Sequence, residues 1–173
     1  TDNPFDIAIN GEGFFQIQLP DGDTGYTRDG SFQLNADGQL VNADGFPVVP
    51  GITIDQAAVG ITINQNGQVL LKFDGQQAET IAGTVQLATF QNKAGLEHIG
   101  RNLLKTTEAS GAPTTANPGT AGFGTLEQGF VEASNVDPVQ EITDLIQAQR
   151  GYELNSKVIE TADQMMSAIN NVR

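Results

Sequence analysis

The feature that most constrains this chain is a heptad repeat between Asp137 and Val172. Asp137 is a favourable N-cap residue, Pro138 suits the first helical position and Gln140 can complete a capping box. The repeat then alternates intervals of three and four residues, which predicts one amphipathic helix over 138–170, about 50 Å long. Sustained over about four heptads, such spacing is typical of a coiled coil.

The helix seam consists of two sets of positions seven residues apart: Leu145, Tyr152, Ile159 and Met166, and Ala148, Asn155, Ala162 and Ile169. Its small residues let another backbone approach closely, and Asn155 favours one register or partner at a cost in stability. Val158, Met165 and Val172 widen the apolar stripe. Because the preceding sequence predicts only strands and loops, we expect the seam to contact another chain or a segment outside this sequence. The alternative is a helix lying on the core of its own domain.

Upstream, short runs of alternating apolar and polar residues lie between glycine-rich turns, a pattern typical of antiparallel strands. Strands are predicted within 5–19 on either side of a turn at 11–13, within 26–34, and over 69–73 and 84–90. Residues 35–38 are a hairpin signal, and residues 34–41 are echoed by 63–70. The predicted fold class is mainly β, antiparallel and hairpin-rich, with an extended strap and one long C-terminal α-helix.

The composition changes between residues 106 and 129, where glycines, prolines and threonines occur without apolar periodicity. A connection of this length without structure is unusual inside a compact domain. We therefore predict a β-rich outer domain over 1–105, an extended linker strap over 106–129 and a coiled-coil-like helical arm over 130–173.

The chain is strongly acidic, with 8 Lys and Arg against 21 Asp and Glu and a net charge of −13. Such a chain is repelled by phosphate backbones and by anionic lipid, which argues against nucleic-acid binding. The sequence has no run of 18 apolar residues, so membrane insertion is not predicted. The absence of cysteine excludes disulfides and thiolate catalysis.

Three short motifs suggest chemistry, and each lacks a required part. Residues 23–25 (DTG) match the aspartic-protease tripeptide, but that chemistry needs two carboxylates that share a proton. Residues 21–29 resemble the start of a calcium loop, but Phe32 stands where a bidentate glutamate belongs. The single histidine, His98, has no imidazole partner. We predict no catalytic, cofactor-binding or metal-binding residue, no cofactor, and no enzyme activity.

Two groups of motifs carry a resemblance to a known family. Residues 126–136 (LEQGFVEASNV) and 149–157 (QRGYELNSK) resemble the C-terminal signature of the bacterial flagellar rod and hook family, and residues 6–15 and 26–32 resemble its central signature. The match is nearest to members that build the distal part of the rod. The family's N-terminal helix and Asn-rich motif are missing, so we expect this chain to be the C-terminal two-thirds of such a protein. The motif residues are Tyr26, Thr27, Arg28, Asp29, Gly30, Ser134, Asn135, Val136, Gln149, Arg150, Tyr152 and Asn155.

The resemblance implies a structural subunit of the flagellar basal body that assembles helically into a tubular drive shaft across the periplasm. The implied partners are further copies of itself, proximal rod proteins, the hook protein and the ring proteins that act as bushing, with export by the flagellar secretion apparatus. One alternative is a proximal rod or hook subunit of the same family. Another is a secreted acidic β module that binds a ligand such as a glycan, with the helix as an oligomerisation tail; a concave aromatic patch would favour it.

Arg28 and Asp29 lie between two predicted strands, beside Gly30. We predict that they fix a turn of the β domain through hydrogen bonds. The alternative is a salt bridge between subunits.

Overall fold

The chain divides into two compact units, Thr1–Glu132 and Ala133–Arg173, called here the β unit and the helical unit. The computed structural model describes residues 1–75, 78–132 and 138–170, and the helix side chains from 139 to 166. Those residues contain fourteen strands, a 3-10 turn at Lys93–Gly95 and one helix, α1, at Pro138–Asn170. The predicted fold class, mainly antiparallel β with one long C-terminal helix, is confirmed.

The strands are short, and most are joined by tight turns. In chain order they are β1 (Ile7–Asn10), β2 (Phe14–Gln18), β3 (Thr24–Thr27), β4 (Gln33–Leu34), β5 (Leu40–Val41), β6 (Val48–Val49), β7 (Ala58–Ile63), β8 (Gln68–Phe73), β9 (Thr80–Thr84), β10 (Leu87–Thr89), β11 (Glu97–Gly100), β12 (Leu103–Lys105), β13 (Thr114–Ala116) and β14 (Thr125–Gln128).

The strands pair into four antiparallel sheets. The largest has the order β11-β12-β3-β2-β10-β13, and β6 also pairs with β2. A second sheet has the order β7-β8-β9, and β4 pairs with β5 in a hairpin. β1 pairs with β14, with Ile7 opposite Gln128, so the first and last strands of the β unit are neighbours.

Strand β2 organises the core because it is buried on both faces. Successive side chains of a strand point to opposite faces. Phe15 accordingly packs edge-to-face on Phe32, with ring centroids 5.0 Å apart, in the main apolar cluster. Phe14 points the other way and packs on Phe90, 5.8 Å away, in a smaller cluster that also contains Tyr26.

Three turns of the β unit share one hydrogen-bond pattern. In each, the side-chain oxygen of an asparagine accepts the backbone N–H groups two and four residues further on, and a glycine of positive φ stands three residues after the asparagine. This asparagine-to-glycine spacing is a turn signal with a mechanism, because the amide replaces a backbone acceptor. The two echoed segments are therefore related hairpins. The turn at Asn42 is a third copy of the same pattern. The turns begin at Asn35, Asn42 and Asn64.

The segment predicted as a linker strap, 106–129, differs from that prediction. β13 extends the largest sheet by pairing with β10, and β14 pairs with β1. Leu126 is 1% exposed, and the Thr107 hydroxyl donates to the Gly95 carbonyl at 2.6 Å. The segment therefore belongs to the β unit, which ends at Glu132 and not at residue 105. Its two strands are too short for an alternation of apolar and polar residues to be recognised in the sequence.

Smaller differences concern element boundaries. Residues 84–90 were predicted as one strand, but β9 ends at Thr84 and β10 starts at Leu87. Thr24 and Gly25, of the protease-like tripeptide at 23–25, belong to β3. The predicted cap Asp137 lies outside the described residues, and the Gln140 amide donates to Asp144 at 3.1 Å.

Candidate assembly interface

Helix α1 exposes its apolar side chains. Of the seam residues, Leu145 is 58% exposed, Tyr152 81%, Ile159 64% and Met166 69%. Ala148, Asn155 and Ala162 are exposed as well, and the side chain of Ile169 lies outside the described residues. Exposed apolar side chains in this number along one helix mark an interaction surface.

The helix is apolar on more than the predicted seam. Val139, Ile142 and Ile146 are all exposed and recur at helical spacing, offset around the helix from Leu145. Val158 and Met165, predicted to widen the stripe, are 67% and 62% exposed. A helix that is apolar on several sides is typical of a buried environment. Apolar side chains are therefore exposed on more than one face of α1.

The family-motif residues separate into two groups. On the helix, Gln149, Arg150, Tyr152 and Asn155 are exposed. Ser134, Asn135 and Val136 lie outside the described residues. In the β unit, Tyr26 and Thr27 are buried, and Gly30 is buried too, with its carbonyl accepting the Ile7 N–H at 3.0 Å. A Cβ on Gly30 would lie 1.7 Å from the Ile7 carbonyl oxygen, so only glycine fits there.

Arg28 fixes the turn between β1 and β2. Its Nη1 donates to the carbonyl oxygens of Gly11 and Gly13 at 2.9 and 3.1 Å, and its Nη2 donates to that of Ile9 at 3.2 Å. Its Nε donates to the Glu132 carboxylate at 2.7 Å. Arg28 therefore makes the predicted turn contacts, and its ion pair lies within the chain.

Asp29 fixes the next turn. Its carboxylate accepts the Ser31 N–H at 3.0 Å and the Asn102 side-chain amide at 3.2 Å. Partial burial by itself raises the pKa of Asp29, but hydrogen bonds from the Ser31 backbone and side chain and from Asn102 outweigh that effect. The pKa of Asp29 is consequently lower than its ordinary value.

Gln128 has a role that the sequence analysis did not assign. Its side-chain oxygen accepts the Ile63 N–H at 3.0 Å, and its side-chain nitrogen donates to the carbonyls of Pro4 and Ile61 at 2.7 and 3.2 Å. The side chain therefore connects β14 to β7 and to the segment before β1. Glu132, the partner of Arg28, was likewise not assigned. Gln128 and Glu132 both lie in the 126–136 motif, and membership of that motif was the sequence signal that could have identified them.

The two aspartates considered for chemistry, Asp21 and Asp23, share a lysine as their partner. Lys105 forms ion pairs with Asp23 and, at 3.9 Å, with Asp21. The hydrogen bond with Asp23 raises the pKa of Lys105 above its ordinary value. His98 is exposed on β11. Among the described residues, no group of three or more His, Asp or Glu side chains is arranged to hold a metal ion.

Two further observations concern surfaces. Across the part of the chain that the structure describes, the strongly exposed aromatic side chains are Phe130 and Tyr152. The described helix is not sufficiently apolar over its length to cross a membrane.

The fold defines a class of protein: a self-contained antiparallel β unit followed by a long helix with exposed apolar side chains. Two family models match, the flagellar hook protein FlgE/F/G D1 domain over residues 8–71 and the flagellar basal body rod FlgEFG protein C-terminal over residues 127–172. The chain belongs to this flagellar rod and hook family.

The similar relatives are rod proteins of longer length. The flagellar basal-body rod protein FlgG of Caulobacter vibrioides is 56% identical over 173 residues, which are 100% of this chain and 66% of that protein. FlgG of Bacillus subtilis is 39% identical over 178 residues, covering 100% of this chain and 67% of the relative. The basal-body rod protein FlgF of C. vibrioides is 36% identical, covering 99% and 67%. The chain thus spans about two thirds of its relatives' length, and their names indicate the flagellar basal-body rod as its location.

Proposed function

We propose that this chain is part of a structural, non-enzymatic subunit of the distal flagellar rod. The subunit assembles helically with copies of itself into the tubular shaft that transmits torque from the motor to the hook. Its further partners are proximal rod proteins, the hook protein and the ring proteins around the shaft. The observation that carries this proposal is the exposed apolar surface of α1, together with membership of the rod and hook family.

The helix seam carries the contacts in this proposal. Burial of Leu145, Tyr152, Ile159 and Met166 between subunits removes apolar area from water, and each fully buried large side chain contributes about 1.5–3 kcal/mol. The small residues Ala148 and Ala162 allow close approach of a second helix, and Asn155 selects its register. Ile169 extends the same seam.

The position of Thr1 supports pairing between α1 and an N-terminal helix of the longer protein. The Thr1 nitrogen donates to the Gly129 carbonyl at 2.5 Å. A segment ahead of Thr1 in a longer protein would consequently leave the β unit beside Gly129, close to the C-terminal end of that unit at Glu132.

Ile159→Asp in the full-length protein tests the proposal. A carboxylate at the centre of the seam is costly to bury without a partner, so we expect loss of tubes by electron microscopy and loss of motility, with the β unit still folded. Thr161→Asp is the matched control, because it places the same residue two positions further on, about 160° around the helix from Ile159. Tubes and motility of the wild-type kind in Ile159→Asp would contradict the proposal.

A further inference from the structure

The end of the β unit is held by few contacts. After β14, the Gly129 N–H donates to the Asp6 carbonyl at 2.7 Å. Phe130 and Val131 follow with 59% and 42% exposure. Among the described residues, the contact of Glu132 with Arg28 is the one hydrogen bond or ion pair that residues 130–132 make. Arg28 is therefore the residue that restrains the path of the chain at the end of the β unit.

The other contacts of Arg28 fix the direction of its Nε–H. Its two terminal nitrogens are bound to three carbonyl oxygens of the β1–β2 connection. Gly11 and Gly13 have φ values of 115° and 142°, which L-residues with a side chain rarely adopt, and both carbonyls accept from the guanidinium. Because the guanidinium is planar and rigid, fixing its terminal nitrogens also fixes its third donor.

We propose that Arg28 is a positioning residue and that the Arg28–Glu132 ion pair is a latch on the exit of the chain from the β unit. The latch ties the segment that leads to α1 to the β1–β2 turn. The side chains of Arg28 and Glu132 are 31% and 47% exposed, so the pair is weak and sensitive to salt. It therefore opens and closes reversibly, and residues 130–132 act as a restrained hinge.

The latch itself is a property of the β unit and does not depend on assembly. Its consequence for the shaft rests on the proposed function: in a rod subunit, the latch would restrain residues 130–132 at the end of the β unit. The latch and the proposed function can therefore be refuted separately.

Backbone 15N relaxation of the whole chain tests the latch. In the wild type, residues 131 and 132 are expected to have higher order parameters than in Glu132→Ala, where these should fall below about 0.6. The matched control is Glu12→Ala, which removes the carboxylate that pairs with Lys93 near the same turn and should leave residues 131 and 132 unchanged. Unchanged order parameters in Glu132→Ala would overturn the latch.

Salt provides a second readout on the unmodified protein. Between 0.1 and 1 M NaCl the screening length falls from about 10 to about 3 Å, so the wild-type order parameters of residues 131 and 132 should fall. In Glu132→Ala they should not respond. The same salt response in both proteins would contradict the latch.

Electron microscopy of the full-length proteins separates the latch from the proposed function. Tubes without ordered residues 131 and 132 refute only the latch, and ordered residues 131 and 132 without tubes refute only the proposed function.

Discussion

The two units differ in how far they bury leucine side chains. Leu126, on the last strand of the β unit, is 1% exposed, whereas Leu145, on α1, is 58% exposed. The β unit surrounds its apolar residues with its own strands, from Ile7 on β1 to Leu126 on β14. The helix leaves its apolar side chains exposed.

The comparison separates apolar residues that pack within the β unit from apolar residues that are available for contact with other subunits. A helix gains most of its stability in proteins from packing of its apolar face, not from propensity. The β unit already has that packing. The helical unit is expected to obtain it through assembly, so substitutions in the two units should affect different measurements.

The largest expected effect is on the core of the β unit. Phe15 is completely buried against Phe32, so Phe15→Ala should lower the free energy of unfolding by about 3–5 kcal/mol in urea denaturation. Tyr152→Ala, which changes an 81% exposed aromatic residue on α1, should change that free energy by no more than about 0.5 kcal/mol. Comparable losses in the two variants would remove the distinction between the units.

The next effect concerns close packing within the β unit. Gly67 has a φ of 82°, and a Cβ there would lie 2.5 Å from the Val85 carbonyl oxygen, whereas Gly45 has a φ of 86° and open space around it. Gly45→Ala should destabilise by about 1–2 kcal/mol through backbone strain alone. Gly67→Ala should exceed that loss, because the Val85 backbone must also move.

Thermal unfolding of both variants measures the difference. The midpoint of Gly67→Ala is expected to be the lower of the two. Equal midpoints would mean that the approach of Gly67 to Val85 is looser than these distances indicate.

The smallest effect is electrostatic. Because the pKa of Asp29 is lower in the folded state, its charged form stabilises the β unit above the ordinary aspartate pKa, and this contribution is lost as the pH falls through the folded pKa. Asp29→Asn should therefore lower the free energy of unfolding at pH 7 by about 0.5 kcal/mol, a value reduced by solvent screening. Urea denaturation at pH 7 and pH 2 should show this difference between the two proteins only at pH 7. A difference that is independent of pH would point to packing instead of charge.

The local features of the fold could be predicted from the sequence because their signals are local. Alternation predicted β1 and β2, and the asparagine and glycine of the 35–38 turn predicted the β4–β5 hairpin. The heptad spacing predicted α1, for which the structure gives Pro138–Asn170. In each case the residues that cause the structure lie within a few positions of one another.

The features that could not be predicted depend on distant partners. β14 has four residues and is a strand because β1 supplies its hydrogen bonds. Glu132 pairs with Arg28 across 104 residues, and Gln128 bonds to Ile63 across 65. No spacing rule within residues 106–132 contains that information. The second apolar stripe at Val139, Ile142 and Ile146 was available in the sequence, but it lies off the seam that the heptads define.

The pairing of β1 with β14 also sets the order of folding. A chain made from its N-terminus holds β1 without β14 until almost the whole β unit has been synthesised. Contacts so far apart in sequence carry a large loop-closure cost and slow the folding of β proteins. The β unit is thus expected to close late and in one cooperative step, with residues 125–128 completing it.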